Sequence, residues 1–320
     1  MNTMKIQLTF LDLRGTAPCR MTQPPAEAVV CLGNFDGVHE GHRRLLCAAR
    51  EAARAIPGCL CGVWTFTSLA KAGADTPALT TTEEKLRQFA EAGLDFAILV
   101  DFSAVRNLSP EQFVREHLIA ALHCAAVVCG FNFRFGYRGA GTSSDLSRLL
   151  AEANVPLTVI DPVTHEDTPV SSTRIREAVA EGDMESAAAL LGRPFSVCLP
   201  VRHGKKLGRK LGLPTINQDF PAGHIVPRHG IYACICTVGD TRHMGVANVG
   251  VRPSVVSDGH VNCETHIMDF DGVLYGESIR VEFLTRLRDE MRFDSIDALR
   301  QAIEADIRNA RAYFAAHPSL

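Results

Sequence analysis

Residues 28–42 read Ala28-Val29-Val30-Cys31-Leu32-Gly33-Asn34-Phe35-Asp36-Gly37-Val38-His39-Glu40-Gly41-His42. The apolar run Ala28–Leu32 has the length and composition of a buried strand. From His42 to Ile56, the residues Leu45, Leu46, Ala49, Ala52, Ala53 and Ile56 recur at helical spacing, and Pro57-Gly58 stops the helix. The chain thus leaves a buried strand, turns through glycines and starts a helix. Backbone N–H groups and the positive helix end then face whatever sits above the strand, which is the geometry of a phosphate site.

Working outward, strands are expected at Leu60–Phe66, Phe96–Val100, Ala125–Cys129 and Leu157–Ile160. Thr81 with Glu84 is a capping-box pattern for a helix ending near Gly93. Ser109-Pro110-Glu111-Gln112 starts another helix, and a third runs from about Ser144 to Glu152. Strand–helix alternation implies an α/β domain, a parallel sheet covered on both faces. The pattern changes near Gly192-Arg193-Pro194. Beyond it, Phe195–Val201, Ile231–Val238, His243–Val249, Asn262–Asp269 and Ser278–Leu284 follow as strands without intervening helices, as in an antiparallel sheet or small barrel. A last helix, capped by Asp294 or Ser295, carries Ile296, Leu299, Ile303, Ile307, Ala310 and Phe314 on one stripe expected to dock on the barrel. Two domains are expected, 1–192 and 193–320, which suits a chain of 320 residues.

With 46% hydrophobic and 22% charged residues, the chain is globular rather than disordered. A net charge of −3 gives no global basic field to recruit nucleic acid or an acidic membrane. No apolar run approaches the ~20 residues of a membrane-spanning helix. Residues 1–20 include Lys5, Asp12 and Arg14 and make a poor signal peptide. Eleven cysteines is an odd count and too sparse for a disulfide scaffold, and Cys31, Cys129 and Cys234 read as small buried hydrophobes. The expectation is a cytoplasmic monomer or weak homo-oligomer, with no nucleic-acid or membrane partner.

His39 and His42 are three apart, so their imidazoles lie near one side of the first helical turn. Gly41 between them allows close approach to the backbone. One reading is a zinc site, although the spacing is unusual and no third ligand is apparent. A second is a pair of solvated histidines. The third is the His-x-Gly-His signature of nucleotidyltransferases, which transfer the adenylyl group of ATP. A phosphate acceptor is already ionised, so the protein has to position it and neutralise charge at the α-phosphorus. Ser171-Ser172-Thr173-Arg174-Ile175-Arg176 reads either as an anion site or as a plain N-cap with surface arginines.

Gly33–His42 resembles the start of the bacterial bifunctional riboflavin kinase/FMN adenylyltransferase family, also called FAD synthases. Gly130-Phe131-Asn132-Phe133-Arg134-Phe135-Gly136 resembles that family's loop after the fourth strand, and Ser171–Arg176 its closing motif. The resemblance implies that His39 and His42 are catalytic. It implies ATP or phosphate contacts for Gly33, Phe35, Asp36, Gly37, Gly41, Ser171, Ser172, Thr173 and Arg174. Asn132, Phe133 and Phe135 are implied to meet the flavin, with a plain core role open for the two phenylalanines. One segment departs from the family, which follows its second strand with a Pro-His-Pro loop beside the triphosphate. Here Thr65-Phe66 continues as Thr67-Ser68-Leu69-Ala70-Lys71. The loop's histidine has no counterpart, and Lys71 is the candidate replacement charge.

His203-Gly204-Lys205-Lys206-Leu207-Gly208-Arg209-Lys210-Leu211-Gly212-Leu213-Pro214-Thr215-Ile216-Asn217 is glycine-rich and basic. It reads as a nucleic-acid patch, as a solvated basic loop, or as a phosphate-covering loop with Gly204, Gly208 and Arg209 followed by a metal site. Thr215 and Asn217 offer hard oxygen ligands suited to Mg²⁺. The segment resembles the riboflavin kinase pattern Gly-Arg-x-Leu-Gly-Phe-Pro-Thr-Ala-Asn. Gly245–Ser254 and Arg288-Asp289-Glu290-Met291-Arg292-Phe293 are similar to later parts of that module, which implies a flavin-proximal Arg292. Alternation puts Glu264 and His266 on one side of a strand. Glu264 aligns with the family's catalytic base; without the resemblance it reads as an exposed strand carboxylate.

The resemblance runs from about Ala28 to Phe314. It implies a Rossmann-like nucleotidyltransferase domain followed by a small six-stranded antiparallel β-barrel with a C-terminal helix. The implied chemistry is phosphorylation of riboflavin to FMN, then adenylylation of FMN to FAD, with ATP as co-substrate and Mg²⁺ as cofactor. A chain with only one working site and a non-catalytic flavin sensor are the alternatives.

Overall fold

The computed structural model describes residues 8–15, 17–67, 76–204, 212–251 and 261–318. The chain divides into two compact units, Met1–Ser172 and Thr173–Leu320. The first holds a seven-stranded sheet of β1 (Thr9–Asp12), β2 (Cys19–Arg20), β3 (Ala28–Leu32), β4 (Leu60–Phe66), β5 (Phe96–Val100), β6 (Cys124–Gly130) and β7 (Leu157–Ile160). Their order is β2-β1-β5-β4-β3-β6-β7. β3 to β7 are parallel. The expected strands are present within a residue at either end. β1, which the sequence did not mark, adds antiparallel to β5 as a short, half-buried strand, with the two-residue β2 at the edge outside it.

β3, β4 and β5 are buried on both faces because period-2 alternation sends neighbouring residues into two different cores. Val29, Cys31, Val63 and Ala97 pack with Leu46, Ala49 and Ala53 of α1 (Glu40–Arg54) and with Leu86 and Phe89 of α2 (Thr82–Glu91). Val30, Leu32, Trp64 and Ile98 pack on the other side. Their partners include Val105 of α3 (Phe102–Val105) and Leu146, Leu149 and Leu150 of α5 (Ser143–Ala151). α4 (Pro110–Gln112) starts with the expected capping box and widens into a π-helix over Phe113–Ala121, which adds Phe113, Val114 and Leu118 to that core. A small hairpin of β8 (Thr164–His165) and β9 (Thr168–Pro169) follows β7.

The second unit begins in α6 (Ser172–Glu181) and α7 (Met184–Leu191), which Gly192 ends in the left-handed region at φ 71°. This division of contacts falls ahead of the change of sequence pattern near Gly192. Then come β10 (Phe195–Pro200), β11 (Ile216–Asp219), β12 (Gly230–Val238), β13 (Thr241–Val251), β14 (Val261–Ile267) and β15 (Ser278–Arg288), all antiparallel in the order β10-β15-β12-β13-β14-β11. The sheet curls until its edges meet. Arg202 N–H donates to Asn217 O at 2.7 Å, and buried Gln218 donates from Nε2 to Leu199 O at 2.6 Å and Ile279 O at 2.7 Å. β11 was not expected, since Asn and Asp disfavour strands. Its Gln218 is buried because it ties the barrel edges together.

α8 (Ile296–Ala316) is capped by Ser295 and packs on Ile231, Ala233, Ile235 and Val246. Only its second half docks: Ala310 and Phe314 are buried, whereas Ile296 is 62% exposed. The expected stripe is therefore too long at its start. Docking is fixed by Asp306, which receives Nε and Nη2 of Arg288, each at 2.7 Å. All eleven cysteines are free and seven are buried, Cys31, Cys129 and Cys234 among them. Burial pushes the thiols of Cys61, Cys124 and Cys263 up to about 12 and that of Cys129 to about 11.

Candidate functional sites

In the parallel part of the sheet the strand order reverses between β3 and β6, and ligands of such sheets sit beyond the strand ends at that point. A cavity of about 610 Å³ lies there, walled by Gly33 and Asn34 after β3, Trp64 and Phe66 of β4, and Phe131 and Asn132 after β6. The loop that leaves β3 is tightly wound: Phe35, Gly37 and Val38 all have positive φ (53°, 83° and 40°). For Phe35 and Val38 this conformation is strained, as is typical where structure is held for function. A Cβ on Gly33 would stand 2.9 Å from the Phe35 ring, so glycine is required there.

Asp36 holds the loop down. Its buried carboxylate accepts from Leu79 N and Thr80 N and from Thr80 Oγ1, while Gly37 N donates to Thr80 Oγ1. Asp36 and Gly37 are not among the residues lining the cavity. His39 caps α1: its Nδ1 accepts from His42 N at 3.3 Å. That bond makes Nδ1 the acceptor, so the neutral ring carries its proton on Nε2. The His39 and His42 rings stack with centroids 3.7 Å apart, and Phe35 meets His42 edge-on. A Cβ on Gly41 would lie 3.1 Å from the His39 ring, so Gly41 makes room for the capping imidazole.

Gly33, Phe35, His39, Gly41, His42, Asn132, Phe133, Phe135, Ser171 and Ser172 all line the one cavity. Ser172 Oγ donates to Asp36 O at 2.8 Å, joining segments far apart in sequence. Thr173 and Arg174 follow in the first turn of α6 and belong to the second unit. A connected series of rings, Phe102, Phe66, Trp64, Phe113, Phe135 and Phe133, makes the apolar wall, with centroids 5.1–5.8 Å apart. Phe133 and Phe135 are stacked near parallel, and Phe135 is also a core residue. Lys71 lies outside the described residues. Among the described residues no group of three His, Cys, Asp or Glu could hold a metal, which leaves the zinc reading without support.

Lys85 was not marked by the sequence. It is buried, and its Nζ donates to Asn34 O at 2.9 Å and Phe66 O at 3.4 Å, tying the ends of β3 and β4 together. Burial lowers its ammonium to about 8, against the pull of nearby Asp36. A lysine beside Leu86 on the helix face that also carries Phe89 was the available signal.

In the second unit, Asn217 of β11 and Asn248 of β13 stand directly opposite Glu264 of β14, one on each side. Asn262 Nδ2 donates to Glu264 Oε1 at 3.2 Å and to Asn217 Oδ1 at 3.4 Å. His266, two residues on and on the same face, donates from Nδ1 to Pro214 O at 2.9 Å and so fixes the residue before Thr215. A Cβ on Gly204 would fall 2.6 Å from the Asn217 carboxamide, so this glycine leaves that group its space. Arg292 is exposed. Gly208, Arg209 and Ser254 lie outside the described residues.

A FAD synthetase family model matches residues 21–174 and a riboflavin kinase model residues 191–314. The bifunctional riboflavin kinase/FMN adenylyltransferase of Listeria monocytogenes is 34% identical over 293 residues, 90% of this chain and 92% of that protein. This chain belongs to the bifunctional riboflavin kinase/FMN adenylyltransferase family. The family's Pseudomonas fluorescens protein is 35% identical over 89% of this chain and 92% of its own length. A crystal structure described as a macrolide-efflux protein from Streptococcus pneumoniae has a TM-score of 0.79 and 32% identity, over 90% of this chain and 94% of that one. Among the described residues here, no helix is long and apolar enough to cross a membrane. Gly33–His42 and Gly130–Gly136 follow β3 and β6 of the first unit, and Asn217 and Glu264 lie on strands of the second. The residues that sequence reasoning missed are Lys85, the rings Trp64, Phe66, Phe102 and Phe113, and the carboxamides Asn248 and Asn262.

Proposed function

We infer that this chain makes flavin cofactors in two ATP-dependent steps: riboflavin is phosphorylated to FMN, and FMN is adenylylated to FAD with release of pyrophosphate. The observation that carries this is the match of both family models, in order, on a chain 34% identical to a bifunctional relative over 90% of its length. Residues 1–192 are assigned the adenylyl transfer and 193–320 the phosphoryl transfer.

For phosphorylation, Glu264 accepts the proton of the terminal hydroxyl of riboflavin. Its oxygen bonds to the γ-phosphorus as the bond to ADP breaks. Asn262 orients Glu264, and Gly204 with the following loop, Gly208 and Arg209 included, covers the ATP phosphates. Thr215 and Asn217 would hold Mg²⁺: a hydroxyl and a buried carboxamide oxygen are hard ligands, and the missing Cβ of Gly204 leaves that carboxamide room. The ion would neutralise charge on the transferring phosphoryl group. Arg292 is assigned to the flavin.

For adenylylation, a phosphate oxygen of FMN attacks the α-phosphorus of ATP and pyrophosphate leaves. His39, with Nδ1 committed to the helix cap, offers Nε2–H as donor, and His42 stacks against it. The start of α1, Gly33, Phe35, Gly41, Ser171 and Ser172 complete the phosphate side. Asp36 acts through Leu79 and Thr80 by fixing the loop. Asn132, Phe133, Phe135 and the ring series around Trp64 form an aromatic wall suited to the flavin ring. A cytoplasmic location and a monomer or weak homo-oligomer go with this reading.

One assay tests it. Purified protein is incubated with riboflavin, ATP and Mg²⁺, and the three flavins are resolved over time. Accumulating FAD is the expected result. FMN alone would confine activity to the kinase, the second reading that the departure at Thr67–Lys71 favours. Unchanged riboflavin would overturn the kinase assignment.

A further inference from the structure

The polar row of the second unit contains one group that its own residues leave unsatisfied. Glu264 is flanked across the sheet by Asn217 and Asn248, and directly opposed residues project from the same face with Cβ atoms about 5 Å apart. On the Asn217 side, Asn262 donates to both Glu264 and Asn217. On the other side, Asn248 Oδ1 is buried and has no hydrogen-bond partner among the described residues. The next residue in the row is no help: Asn248 is opposed on β12 by Ile231, which packs in the apolar cluster under α8 together with Val246. Asn248 therefore stands where the polar row ends and the apolar patch begins. A buried acceptor without a donor is costly, and a bound donor is one way to complete it.

We propose that Asn248 is a substrate-specificity residue of the kinase site, its Oδ1 accepting a hydrogen bond from a hydroxyl of the flavin's polyol side chain and so setting the terminal hydroxyl against Glu264. This rests on the assignment of Glu264 as the base. The chemistry fits the position. A polyol chain supplies hydroxyl donors at successive carbons, so one can meet Asn248 while another meets the carboxylate opposite. A site built around a substrate hydroxyl discriminates strongly against the analogue that lacks it, because its own polar group is then left unpaired.

The test uses the full chain and two substrates: riboflavin, and a flavin whose side chain is a hydroxyalkyl of equal length with only the terminal hydroxyl. N248L, close in volume, and N248V, a strand-favouring residue, each remove the acceptor. Phosphorylation of riboflavin is expected to lose at least about tenfold in kcat/KM in both variants, and that of the hydroxyalkyl flavin to change by less than about twofold. The readout is a ratio between substrates on one preparation, so partial loss of folded protein cancels. Equal losses on the two flavins, or no loss on riboflavin, would overturn the proposal. E264Q separates the two claims: if E264Q still phosphorylates riboflavin, the base assignment fails. If E264Q is inactive while N248L treats both flavins alike, only the role of Asn248 fails.

Discussion

Replacing Lys85 by methionine probes how a buried charge is held beneath the first site. In the folded chain burial brings the Lys85 ammonium down to about 8, from an ordinary value of 10.5. Between those two pH values the unfolded chain keeps a proton that the folded chain has lost. Folding stability therefore rises with pH through that window by about 1.4 kcal/mol per unit, or about 3 kcal/mol in all. Below pH 8 the folded protein carries the whole cost of burying the charge. K85M abolishes that titration and withdraws one donor each from Asn34 O, which keeps Thr65 Oγ1, and from Phe66 O, a loss of about 1–3 kcal/mol for a carbonyl deprived of its donor. Near neutral pH the two effects roughly offset each other, and at alkaline pH the wild type should pull ahead by about 3 kcal/mol. Trp64 is the chain's only tryptophan and is 3% exposed inside the first unit, so its fluorescence follows unfolding of that unit. Urea titrations of both proteins, with reductant, from neutral to alkaline pH give the difference directly. Subtraction removes the alkaline titration of the buried thiols common to both. A wild-type-minus-variant difference that stays flat across the window would refute the reasoning.

H42A should abolish FAD formation from supplied FMN by at least about a hundredfold while leaving FMN formation from riboflavin intact, and E264Q should do the reverse; loss of both activities in either folded variant contradicts the two-site assignment. D306A leaves Arg288 without its bidentate partner under α8, and should cost about 2–3 kcal/mol, somewhat below a fully buried pair because Arg288 stays partly exposed. Thermal melts followed by circular dichroism would show it, and a loss under about 1 kcal/mol would be too small for this account. His117 is buried with neither ring nitrogen partnered among the described residues, and burial holds its pKa below the usual 6.5 against the opposing influence of Glu116. The unfolded chain then takes up the proton first as pH falls, so stability drops below about pH 6.5, and H117L should flatten that acid limb in Trp64-monitored unfolding.

The local pattern of the chain determined most of the fold. Ala28–Leu32, Leu60–Phe66, Phe96–Val100 and Leu157–Ile160 were legible because continuous apolar runs bounded by turns leave few alternatives. The caps at Thr81, Ser109 and Ser295 were legible because capping is chemistry between residues a few positions apart. The two motif sets were legible for the same reason, each lying within a short span.

Tertiary structure alone decided what depends on residues distant in sequence. It made the Asp36 carboxylate the clamp on Leu79 and Thr80, and gave Gly41 the task of accommodating the His39 ring. β1 and β11 are strands only because β5 and β14 offer them edges, and Gln218 is buried only because the barrel closes around it. The register of β11, β13 and β14 puts Asn217, Glu264 and Asn248 in one row, although nothing in their spacing along the chain relates them. Lys85 shows the same limit. A lysine in a helix reads as solvated by composition, and only the carbonyl ends of two strands converging on its ammonium make burial of the charge tolerable.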